Sequence, residues 1–188
     1  MLLLAFILPG CVFSLYPLYT TNDLVYDSKL EGIWGETGKQ EIWKFEKQTQ
    51  HSIIGNNSIE EKAYLLTFTE NGEARKMQGH LTRLDDNLFL DIFPEELGSK
   101  NSLFESQFVP VHTYAKVKIT GDHIELNFLN TDFLDKLLEQ NTIRIKHENL
   151  DSYKIITAST DELQKFIKKY ANRQELFEQP VVLTKKPK

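Results

Sequence analysis

VPVHTYAKVKI, Val109 to Ile119, places Val109, Val111, Thr113, Ala115, Val117 and Ile119 on one side of an extended chain and Pro110, His112, Tyr114, Lys116 and Lys118 on the other. A period of two predicts a strand rather than a helix. Outward from this stretch the same one-sided pattern recurs in Trp43 with Phe45, and in Ile124 with Leu126 and Phe128. Leu88 to Phe93 is apolar on both faces apart from Asp91, which predicts a strand covered on both sides, with a helix outside the sheet supplying the second cover.

Short segments rich in aromatic and β-branched residues extend the pattern along the chain. They are Gly32 to Gly35, Glu41 to Lys47, Ala63 to Thr69, Glu73 to Leu84, Leu88 to Phe93, Phe104 to Ile119, His123 to Leu129 and Tyr153 to Thr157, with Val181 to Thr184 as a short last strand. Asn71-Gly72 is a strong two-residue hairpin signal, because both residues tolerate the positive φ of a type I′ turn. Asp85-Asp86-Asn87, Thr120-Gly121-Asp122 and Asp151-Ser152 are weaker turn signals. Sequential hairpins make an antiparallel meander, and closing it removes its exposed edges. The expected fold is mainly β, a meander closed into a barrel of about eight strands.

Two helices accompany the sheet. Thr131 to Gln140 puts Phe133, Leu134, Leu137 and Leu138 on one stripe, with Asn130 or Thr131 as cap. In Ser159 to Ala171, Ser159 and Glu162 have capping-box spacing, and Leu163, Phe166, Ile167 and Tyr170 form the apolar stripe. The first is inserted between late strands and the second lies near the C-terminus. Ser14 to Asp27, with Pro17 and several aromatics, has neither period and is expected as a packed irregular lead-in.

Composition narrows the function classes. With 40% hydrophobic and 26% charged residues, 188 residues are ordinary globular material, enough for one core without disulfide or metal staples. A single Cys excludes an internal disulfide. A net charge of -5 lacks the basic footprint of a nucleic-acid binder.

The N-terminus gives the location. Met1 to Phe13, MLLLAFILPGCVF, is uncharged and apolar but short of the ~20 residues of a spanning helix. An apolar run of this length at the extreme N-terminus suits the h-region of an export signal, although no basic residue precedes it. The residues alone also allow a buried first strand with Cys11 as a small buried hydrophobe. Leu8, Pro9, Gly10 and Cys11 resemble the lipobox of bacterial lipoproteins. That resemblance implies a signal peptide over residues 1–10, cleavage before Cys11, and lipid, palmitate among its acyl groups, on the new N-terminal cysteine. Val12 stands where Asp would favour inner-membrane retention, so the resemblance implies the cell envelope, with the outer membrane favoured.

Glu31-Gly32-Ile33-Trp34, after an aromatic lead-in and before a run of hairpins, looks like the G-x-W signature of lipocalin-like barrels, in which the Trp packs across the closed end. LYPLYTTNDLVYD, LEGIW, LFLDIFPEE, PVHTYAKV and ITASTDELQKFI resemble a group of uncharacterised bacterial lipoproteins with a lipocalin-like, calycin-type barrel. That group carries no activity to transfer. The organisation implied is a signal peptide over 1–10, the lipidated Cys11 and lead-in over 11–27, and one barrel domain over 28–188.

Chemistry is sparse. No G-x-S-x-G, P-loop or G-x-G-x-x-G occurs, and the five His are too dispersed for an H-x-H or H-E-x-x-H metal pair, so neither an enzyme, a cofactor nor a metal is expected. Trp43, Phe45, His112 and Tyr114 are candidates for a pocket lining. For His112 the alternative is an exposed or hydrogen-bonded strand histidine. Two functions remain: a membrane-anchored carrier of a small apolar or lipid ligand, which needs a cavity, or an anchored module, with a filled barrel, that binds or inhibits another protein of unspecified identity.

Overall fold

The computed structural model describes residues 12–48, 61–95, 108–150 and 153–187. In chain order the elements are β1 (Phe13–Ser14), β2 (Leu24–Val25), a 3-10 turn (Ser28–Leu30), β3 (Gly32–Glu36), β4 (Ile42–Lys47), β5 (Ala63–Glu70), β6 (Glu73–Leu84), β7 (Asn87–Pro94), β8 (His112–Thr120) and β9 (His123–Phe128). Then come α1 (Thr131–Glu139), β10 (His147–Leu150), β11 (Tyr153–Ile156), α2 (Thr160–Tyr170), a second 3-10 turn (Gln174–Leu176) and β12 (Val181–Lys185).

Strands β3 to β9 pair in sequence, and β12 bridges β9 to β3, which closes an eight-stranded antiparallel barrel. The closed meander expected from the hairpins, and the lipocalin-like barrel expected from the resemblance, are therefore present. Its hairpins follow local chemistry: Asn71 (φ 52) and Gly72 (φ 82) both take the left-handed conformation between the register partners Glu70 and Glu73. One end of the barrel carries the β6–β7 and β8–β9 hairpins and the first 3-10 turn. The other carries the β5–β6 hairpin and the insertion between β9 and β12 that contains both helices.

Two cores share the sheet. Inside the barrel, Trp34, Phe45, Tyr64, Leu66, Leu81, Leu90, Ala115, Leu126 and Leu183 are buried together. On the outside, Phe89 and Tyr114 are covered by Leu134 and Leu137 of α1 and by Leu163, Phe166, Ile167 and Tyr170 of α2. Covering β7 from outside is the role expected for a helix. Each buried Leu, Ile or Phe contributes about 1.5 to 3 kcal/mol, so the outer core is a structural layer in its own right. Asn130 Oδ1 caps α1 by accepting from the Phe133 N–H at 2.8 Å, and Ser159 with Glu162 forms the full capping box on α2.

Three features differ from the sequence expectation. The long strand begins at His112 rather than Phe104; Pro110 has no N–H for a ladder, and residues 104–107 lie outside the described residues. The lead-in is not wholly irregular, since β1 pairs with β8 and β11, and β2 pairs with β6. Finally, both faces of the first half of β8 are buried, because the outer core covers His112 and Tyr114 while the barrel encloses Ala115 and Val117.

Candidate functional site

The closed end of the barrel is built around Trp34. Its side chain is 0% exposed, and its Nε1–H donates to the Leu30 carbonyl at 2.9 Å, tying β3 to the 3-10 turn that plugs the barrel. Gly32 lies at φ +141, where a side chain would be strained, and a Cβ there would also sit 2.9 Å from Cε of Lys185. The Lys185 ammonium lies 4.9 Å from the Trp34 ring, a cation–π contact that brings the end of the chain onto the same plug. Trp34 is thus a buried member of the interior core bonded to the turn before β3, and Gly32 holds a conformation that favours glycine.

Trp43 and Phe45 point into the barrel, as their alternation predicts. Phe45 is in the interior core, 6.4 Å from the Tyr64 ring, whereas Trp43, the register partner of Trp34, is half-buried. Trp43 packs edge-on against Phe68 at 4.8 Å, and Met77, Phe128 and Val181 are further half-buried residues packed against the interior core. The interior itself is filled by buried side chains, and these residues are its half-buried margin.

His112 and Tyr114 are not brought to that place. Their strand positions face outward, beneath the segment that runs from Ser14 to Asp23. His112 Nδ1 lies 2.7 Å from Asp91 Oδ1, and the other Asp91 oxygen accepts the Leu18 N–H at 2.8 Å. The Tyr114 hydroxyl donates to the Tyr16 carbonyl, which also accepts from the Ser14 hydroxyl at 3.0 Å. Tyr19 stacks on His80 at 4.5 Å, and Phe93 covers His112 at 4.4 Å. Of the two readings of His112, the hydrogen-bonded strand histidine describes its position.

The electrostatics of this cluster follow from burial. Asp91 is 0% exposed, and burial pushes its carboxyl above the usual carboxylate range, while His112 and the Leu18 N–H pull the other way. Burial, reinforced by the neighbouring His112, lowers the His80 imidazole to about 4, and its Nδ1 has no hydrogen-bond partner. Tyr114 and Tyr19 are both pushed up, chiefly by burial and then by the Asp91 charge. A carboxylate orienting an imidazole is an arrangement that general bases use. Here the Ser14 hydroxyl is committed to a carbonyl, and the polar groups fasten the lead-in to the barrel.

Among the described residues no group of three or more His, Cys, Asp or Glu side chains is placed to hold a metal ion. Also among them, no helix is long and apolar enough to cross a membrane. Leu8, Pro9, Gly10 and Cys11 lie outside the described residues, as does Asp151-Ser152. His80, Asp91 and Ser14 are the members of the outer cluster that sequence reasoning missed as a group. Asp91, a lone carboxylate in a strand apolar on both faces, was the available signal. Compared with models of known protein families, with curated proteins and with solved structures, the chain matches none.

Proposed function

We propose that the protein is a bacterial cell-envelope lipoprotein, anchored through acyl groups on Cys11 and favouring the outer membrane, that holds a small apolar or lipid ligand at the mouth of its barrel. The observation that carries the ligand is the set of half-buried apolar residues Trp43, Phe68, Met77, Phe128 and Val181 at the margin of a filled interior. An eight-stranded barrel has room for its own side chains or for one small ligand. A filled interior leaves its margin as the seat, so the ligand would be an acyl chain end or a compact apolar group rather than a deeply enclosed molecule. Two or three acyl chains on Cys11 suffice for stable anchoring at about 0.8 kcal/mol per buried CH2.

The test has two parts. Intact mass of the protein extracted from host envelopes should show a mature chain beginning at acylated Cys11. Titration with a fatty acid or lysophospholipid, read through Trp43 fluorescence, should saturate, and Phe68→Ala should weaken binding about tenfold, in line with the loss of an aromatic contact. A chain of unprocessed mass refutes the anchor, and no saturable binding refutes the carrier.

The filled interior favours one second reading, an anchored module that binds or inhibits another envelope protein. It is favoured if the acylated protein carries no lipid and ignores apolar probes, yet shows a defined protein neighbour on cross-linking in its host.

A further inference from the structure

Beyond the barrel, β10, β11 and β1 continue the sheet alongside the start of β8, and this extension has two unlike faces. One face is buried in the outer core through Val12, Ser14 and Ile156, all at most 2% exposed. On the other, the register places Phe13 with Ile155 and Thr113, and Leu150 opposite Tyr153. The Phe13 and Tyr153 rings meet edge-on at 5.6 Å. Leu150 and Tyr153 are each 47% exposed, and Leu15, Tyr16 and Val109 at the margin are 38%, 49% and 68% exposed. A sheet face this apolar is unusual against water.

We propose that this face lies on the phospholipid surface of the membrane to which the chain is anchored. The inference rests on acylation of Cys11, the reading given above, and adds which side of the molecule meets the bilayer. The argument is one of chain length. Val12 follows Cys11 directly, and a residue spans at most about 3.3 to 3.6 Å, so Phe13 sits within two residues of the acyl chains. With so short a tether, β1 is held close to the lipid, and its face left uncovered by the outer core is the one free to meet it. That face presents Leu150 and Leu15 for the acyl boundary, with Tyr16 and Tyr153 as amphipathic rings of the kind found at headgroup level. Glu148, which shares β10 and this face with Leu150 and stands opposite Ile155, sets the depth of contact at the headgroups, within reach of water. The net charge of -5 gives no attraction to anionic lipid, so contact through this face depends on apolar area and not on counter-charge.

The test uses the acylated protein from its host, reconstituted in phosphatidylcholine vesicles containing phosphatidylglycerol. Acylation blocks Cys11, the chain's single Cys, so Tyr153→Cys, Leu150→Cys and Asp86→Cys each add one reactive thiol for a nitroxide label. All three sites are exposed, so the substitutions leave the cores intact. The Tyr153→Cys and Leu150→Cys labels should become accessible to oxygen and shielded from a water-soluble nickel reagent on vesicles, and 0.5 M salt should not reverse this. The Asp86→Cys label, on the hairpin at the far end of the barrel, should stay water-exposed. Equal water exposure of all three labels on vesicle-bound protein overturns the face while leaving the anchor standing. Spin coupling between copies at Tyr153→Cys without oxygen access makes the face a contact between two copies and also overturns it. A chain whose mass lacks the acyl groups and that stays off the vesicles overturns the anchor, and the face with it.

Discussion

Asp91 and His112 are not register partners, since Asp91 stands opposite Tyr114, yet Asp91 Oδ1 and His112 Nδ1 meet diagonally across β7 and β8 at 2.7 Å. The second Asp91 oxygen holds the Leu18 N–H, so one buried carboxylate joins two barrel strands to the lead-in. Asp91→Ala should cost about 3 to 5 kcal/mol, the loss expected when one member of a buried pair is removed. Asp91→Asn, which keeps an acceptor, should cost less, about 1 to 3 kcal/mol. Denaturant unfolding of both variants measures the difference, and equal costs would mean that the charge is irrelevant.

His80 predicts a pH dependence. Its folded value is about 4 against 6.5 for a solvated imidazole, so the unfolded chain binds the proton more readily between those values. Stability from this group is present above pH 6.5 and is lost as pH falls toward 4, by roughly 3 kcal/mol at the limit. Asp91 has the opposite sign, because its raised carboxyl takes up a proton more readily when folded. Measuring wild type against His80→Leu at pH 7 and pH 4 isolates the histidine. The stability advantage of wild type over the variant should shrink by roughly that amount at pH 4, and a constant difference would refute the assignment.

Trp34→Ala removes a fully buried ring and the plug contact to Leu30, and should cost about 3 to 5 kcal/mol. Trp34→Phe, which loses the Nε1–H and some volume, should cost about 1 to 2 kcal/mol. A cost below ~1 kcal/mol for the alanine variant in thermal or denaturant unfolding would remove Trp34 from the closed end.

Ser159→Ala deletes the hydroxyl half of the α2 capping box and should cost about 1 kcal/mol. The loss should appear as earlier amide exchange in α2 and in residues 17–23, because Thr160 Oγ1 and Gln164 Nε2 donate to the carbonyls of Pro17 and Leu18, each at 2.8 Å. Unchanged exchange in that segment would show that the helix does not hold the lead-in.

The barrel was legible because its signals are local. Glu73 to Leu84 appears as a strand with those bounds, and the Asn71-Gly72 turn and the Ser159-Glu162 box are each set by residues within reach of one another. The inner face of β8 could be read from alternation, but the cover over its outer face depends on residues far along the chain, such as Phe166 and Ile167. β1 and β2 escaped notice because two residues are too few for any period, and β10, HENL, is mostly polar. The proposed pocket quartet divided for the same reason. Trp43 and Phe45 share the barrel side of the sheet, whereas His112 and Tyr114 have the opposite parity from the inward Thr113 and Ala115.

Closure by β12 bears on how the chain folds. Leu183 pairs with Glu36 on one side and with Ile124 on the other, so the seam of the barrel joins the last strand to the first strand of the cylinder. Pairing over such a sequence distance gives high contact order and slow folding. A chain emerging from the ribosome carries two open edges, β3 and β9, until β12 is made. A chain shortened before Val181 would keep those edges permanently, and its fate would be strand-to-strand aggregation rather than a slightly weaker barrel.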